Sequence, residues 1–71
     1  MLPVQYQDHV TSARADGIKF VSPYRLGIYV GMAGARLPSP YHTEKATNCY
    51  NRGVMNGTER ANREADKKEP T

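Results

Sequence analysis

Disulfides, tryptophan and long apolar runs are all missing from this 71-residue chain. Its one cysteine, Cys49, has no intramolecular partner. That excludes a disulfide-stapled scaffold and favours a reducing, cytoplasmic setting. Cys49, His9 and His42 form no CxxC or HxxxH spacing. No metal site is therefore expected, and Cys49 reads as a small core residue. The uncharged run LGIYVGMAGA, between Arg25 and Arg36, falls well short of the roughly 20 apolar residues a membrane span needs. The opening MLPVQYQDHV has neither a basic start nor an apolar stretch, so no export signal is expected. A domain this short buries only about 60% of its unfolded surface. With no disulfide or metal to help, a protein partner or a homodimer is the expected stabiliser.

What charge there is leans positive, by +3 overall, and unevenly. Residues 1–13 carry only Asp8, and residues 53–71 balance. Residues 14–52 hold Arg14, Lys19, Arg25, Arg36, Lys45 and Arg52 against Asp16 and Glu44. A basic middle fits an acidic partner such as RNA, DNA or an acidic protein; it is also compatible with ordinary solvated charge.

Local signals point to helices. Tyr6, Val10 and Ala13 fall at helical spacing, giving a short helix over about 5–16 that Gly17 stops. IKFV is an extended connector. Ser22 is an N-cap followed by Pro23 at the first helical position, and the helix they open is expected to reach Ala35. Pro38 and Pro40 end it. Thr43 caps a second, longer helix, with Glu44 favourable at its positive end. Along it Ala46, Cys49, Tyr50, Gly53, Val54, Gly57 and Ala61 form one apolar seam. Expected units are an N-terminal arm or short helix (1–21), a helical hairpin (22–64, helices at about 23–35 and 43–64) and a disordered tail (65–71). No internal repeat is apparent.

Glycines occupy the most apolar stretch, GIYVGMAG. As a phosphate loop it lacks the GxxxxGK[ST] pattern and a preceding strand. Gly27 and Gly31 lie four apart, as do Gly53 and Gly57, so each pair shares one helix face. Each mid-helix glycine costs about 1 kcal/mol against alanine, and close contact between two backbones is the return that justifies it. A short loop then folds the two helices back on each other as an antiparallel αα-hairpin. Leu26, Ile28, Tyr29, Val30, Met32 and Ala35 make the first of these helices apolar almost all round. Tyr6, Val10 and Phe20 are expected to cover part of it. The rest implies a homodimer or an exposed docking face.

Taken together, LGIYVGMAGAR, a proline-containing loop ending in Pro40-Tyr41, and CYNRGVMNG resemble the ribosome modulation factor family over residues 24–61. The matched positions are Gly27, Gly31, Ala33 and Gly34 in the first helix, Pro40 and Tyr41 in the loop, and Tyr50 and Gly53 in the second. The family is strongly basic before its first helix, where this chain has DGIKFVSPY, and carries a tryptophan where Val54 stands. Members also occur in phages and on plasmids. The resemblance implies a cytoplasmic two-helix protein that contacts small-subunit ribosomal RNA and promotes inactive ribosome dimers.

An RNA partner needs cations for phosphates and aromatics for unpaired bases. Arg25, Arg36, Lys45 and Arg52, with Tyr41 and His42 in the loop, are the candidate patch. Tyr41 equally suits packing across the hairpin, and Tyr50 suits the helix–helix contact with Gly27, Gly31, Gly53 and Gly57. Asn48, Asn51 and Asn56 suit RNA contact or plain solvent exposure. No acid–base pair is assembled, so no enzyme activity, cofactor or small-molecule substrate is expected. The alternative is a small inhibitor or adaptor, phage-encoded in one version, that docks a host protein through an apolar helix face.

Overall fold

The computed structural model describes residues 2–68, and among them there are three helices and no strand. They are α1 (Val4–Ala15), α2 (Pro23–Met32) and α3 (Glu44–Lys68). The all-α expectation holds. Backbone assigned by sequence to a disordered tail belongs to α3 as far as Lys68; the remainder of that tail, 69–71, lies outside the described residues.

Caps set the boundaries. Ser22 Oγ accepts from the Arg25 amide at 3.3 Å, with Pro23 opening α2. Thr43 Oγ1 accepts from the Ala46 amide at 3.3 Å and starts α3. Replacing Ser22 with Ala should cost about 1 kcal/mol in a urea titration, because the freed Arg25 amide loses its acceptor. The two left-handed glycines, Gly17 (φ +94) and Gly34 (φ +72), end α1 and α2 alike. After each helix the glycine amide and the next amide turn back onto the last turn: Gly17 to Arg14 and Ile18 to Ala13, then Gly34 to Gly31 and Ala35 to Val30. This is the Schellman arrangement, which glycine enters without a Cβ penalty. It stops α2 at Met32, short of the Ala35 expected from sequence.

The glycine faces do meet, but in a different sense from the expected antiparallel hairpin. A Cβ on Gly27 would run into the Tyr50 carbonyl and stand 3.0 Å from Gly53 Cα; one on Gly53 would meet the Tyr24 carbonyl and stand 3.1 Å from Gly27 Cα. Further along, Gly31 faces the Val54 carbonyl and the Thr58 amide, and Gly57 faces the Ile28 carbonyl. Residue numbers rise together on both helices, so α2 and α3 cross in parallel. Residues 33–43 explain why. Pro38 and Pro40 hold the connection extended, and it returns alongside the helices instead of turning tightly. Tyr6 and Tyr50 hydroxyls clasp its middle by donating to the carbonyls of Pro38 and Leu37 respectively. Ser39 and Thr47 hydroxyls tie its end to α3 at 3.0 Å.

The contact has a pseudo-two-fold. Each of the four glycines lies against the carbonyl three residues before the glycine it pairs with: Gly27 with Gly53 and Gly31 with Gly57. Reciprocal approach of Cα–H to carbonyl oxygen is the geometry of tight helix crossings. The symmetry is written in the sequence as Tyr-x-x-Gly-[Ile/Val]-x-x-Gly, once over Tyr24–Gly31 and again over Tyr50–Gly57. The absence of repeats is thereby corrected. Only four positions of each copy match, and the identical glycines and tyrosine sit among side chains of opposite polarity.

Tyr6, Leu26, Val30 and Tyr50 form the core, with Leu2, Val10, Val21, Ala35, Leu37, Tyr41 and Val54 packed on it. Tyr6 meets Tyr50 edge-on, ring centroids 6.4 Å apart, a favoured aromatic geometry. So α1 is an integral part of the core through Tyr6 and Ala13. Phe20, expected to help cover α2, is 80% exposed instead. Even so, Leu26, Ile28 and Val30 are all buried, Leu26 and Val30 in the core cluster and Ile28 against Gly57 of α3. Cys49 is exposed and lies off the core.

Candidate nucleic-acid interface

On the other side of the crossing the surface is polar. Lys45, Asn48, Cys49, Arg52 and Asn56 project from successive turns of α3 and, with Tyr24 of α2, line an open groove of about 590 Å³. A second hollow continues it, lined by Tyr24, Ile28, Asn56, Glu59, Arg60 and Arg63. The helical repeat places residues three and four apart on one face. Lys45, Arg52, Arg60 and Arg63 therefore make a stripe along α3, which rises about 1.5 Å per residue, with Glu59 as the acidic member.

Tyrosines mark the α2 edge of this stripe. Tyr24 accepts a hydrogen bond at 2.8 Å from the Asn56 amide. Tyr29 donates to Asp16 Oδ2 at 2.6 Å. That bond chiefly, then burial and the carboxylate charge, raises the Tyr29 phenol above its ordinary value, against the opposing fields of Arg25 and Arg60. Asp16 neutralises part of this edge.

The expected patch divides. Lys45 and Arg52 share the groove, whereas Arg25 is exposed on α2 and is not part of its lining. His42 is exposed on the loop just ahead of α3. Arg36 lines a separate hollow with Gly34, Ala35, Leu37, Pro38, Val54 and Thr58. Tyr41 packs edge-on against Tyr50, centroids 6.2 Å apart. Its amide donates to Ser39 Oγ, and burial raises its phenol. Of its two open readings, packing is the one the geometry takes. Tyr50 lies in the core, and all four paired glycines lie in the crossing, as expected.

Tyr24, Arg60 and Arg63 were missed as candidates, and Asn48 and Asn56 were left undecided. Arg60 and Arg63 looked neutralised by Glu59 and Glu64 beside them in the chain; Glu59 does share their hollow, whereas Glu64 is not part of its lining. The usable signal was the spacing Lys45, Arg52, Asn56, Arg60, Arg63, one polar line running beside the apolar seam. Comparison with known proteins gives no further guide: no family model, curated protein or solved structure matches this chain. No helix among the described residues is long and apolar enough to cross a membrane.

Proposed function

We propose that this protein is a small cytoplasmic RNA-binding factor that docks on the ribosome through small-subunit ribosomal RNA and modulates translation. One observation carries the reading: Lys45, Arg52, Arg60 and Arg63 line adjoining hollows on one face of α3, interleaved with Asn48, Asn56 and Tyr24. Cations spaced along a rigid rod suit a phosphate backbone; amides and a tyrosine between them suit base edges and faces. The resemblance of residues 24–61 to the ribosome modulation factor family supports the ribosome as the source of that RNA. The interface binds without catalysing, and needs no cofactor.

Sedimentation of the protein with ribosomes through sucrose tests this. Association should weaken steeply with salt. The double variant Arg52→Glu/Arg60→Glu should reduce affinity by about tenfold or more and flatten the salt dependence by about one log–log unit per lost phosphate contact. Arg36→Glu, in the separate hollow, should have the smaller effect. Absence of the wild-type protein from ribosomal fractions even at low salt would overturn the proposal.

A further inference from the structure

The pseudo-two-fold relates two sides of the helix crossing that have opposite fates. On one side Leu26, Val30 and Tyr50 are buried beneath Tyr6. The symmetry carries Leu26 onto Arg52, Val30 onto Asn56 and Tyr50 onto Tyr24. Those three residues line the open groove. One backbone frame thus builds two sockets. The apolar socket is filled by an aromatic ring of the chain itself, while the polar one is open and offers a guanidinium, an amide and a half-buried tyrosine.

We propose that the polar socket takes an unpaired nucleotide of a single-stranded RNA, with its base against Tyr24 in the place that corresponds to Tyr6 on the opposite side. Charge and shape select this occupant. Lys45 and Arg52 stand on the groove wall to hold flanking phosphates. Because the Asn56 amide already donates to the Tyr24 hydroxyl, the carbonyl of that side chain and the tyrosine proton are left for base edges. Asn48 supplies a second amide. A duplex keeps its base faces stacked inside and cannot offer one to Tyr24, so the groove favours a strand over a helix. The inference rests on RNA being the partner proposed above, and it assigns the part of the RNA that is recognised.

Cys49 provides the test, being the chain's single thiol, exposed and part of the groove wall. Fluorescein-labelled oligoadenylate should bind tighter than an oligoadenylate–oligouridylate duplex, and should slow alkylation of Cys49 by iodoacetamide. Tyr24→Leu keeps bulk but removes the stacking face. It should weaken strand binding by about tenfold and collapse the preference over duplex. Asn48→Asp, at an exposed site, should also weaken strand binding with the circular dichroism spectrum unchanged, which separates recognition from folding. If the strand binds but Cys49 is alkylated at its free rate, or if strand and duplex bind equally, the socket assignment falls while ribosome association stands. If the strand protects Cys49 but the protein is absent from ribosomal fractions, the ribosomal reading falls and the socket stands.

Discussion

Gly27→Ala and Gly53→Ala should each destabilise the protein by about 3 kcal/mol or more, the upper range for overpacking, despite alanine's helix preference of about 1 kcal/mol. The reason is what the new methyl meets. Against Gly27 stand the Tyr50 carbonyl, the Val54 amide at 2.8 Å and Gly53 Cα at 3.0 Å, all backbone. No rotamer change can make room; the helices must separate. A domain of this size has about 5 kcal/mol to lose, so both variants should keep about 2 kcal/mol or less and melt at a clearly lower temperature by circular dichroism. Asn51→Ala, on the exposed face of α3, makes the matched control and should leave the urea midpoint unchanged or slightly raised. Equal midpoints for Gly27→Ala and the control would mean that the crossing is not where these glycines place it.

Tyr50→Ala should cost about 3–5 kcal/mol, as for other large buried aromatics. The ring is 1% exposed, touches Tyr6 and Tyr41 edge-on, and donates at 2.9 Å to the Leu37 carbonyl. Tyr50→Phe removes only the hydroxyl and strands that carbonyl, so it should cost about 1–3 kcal/mol. The two can be compared by urea denaturation. Alkaline titration gives a second reading. Burial first, then the neighbouring Tyr6 and Tyr41 phenols, push the Tyr50 hydroxyl up from 10.0 to about 12. The fold therefore favours the neutral phenol. That contribution is fully present below pH 10 and is lost as the pH rises through about 12. In Tyr50→Phe this part of the alkaline loss should vanish, narrowing the stability gap to wild type at high pH.

How far the sequence could be read depended on whether a signal was local. Ser22-Pro23 and Thr43 announce their helix starts because a cap is decided within one turn. Paired glycines announce a backbone contact because nothing else offsets their cost. Direction was not legible: Gly27 and Gly31 could meet Gly53 and Gly57 in either order, and the course of residues 33–43, fixed by tyrosine hydroxyls from α1 and α3, decided it. Gly34 misled for a related reason. It continues the spacing of Gly27 and Gly31 loosely enough to pass as helix, yet its left-handed backbone ends the helix. The candidate interface was half visible. Lys45 and Arg52 stood out by charge, whereas Tyr24 became a candidate only when α3 was seen to cross beside it.

The parallel crossing also bears on how the chain reaches its fold. In an antiparallel hairpin the contacts beside the turn close the smallest loops and form first, and later ones zip outward. Here Gly27–Gly53 and Gly31–Gly57 span the same length of chain, so no pairing between α2 and α3 has a head start. The full loop-closure entropy must be met before the first glycine contact rewards it. Folding should then be all-or-none for α2 and α3 together, and slower than expected for a helical protein of this length whose contacts are mainly local.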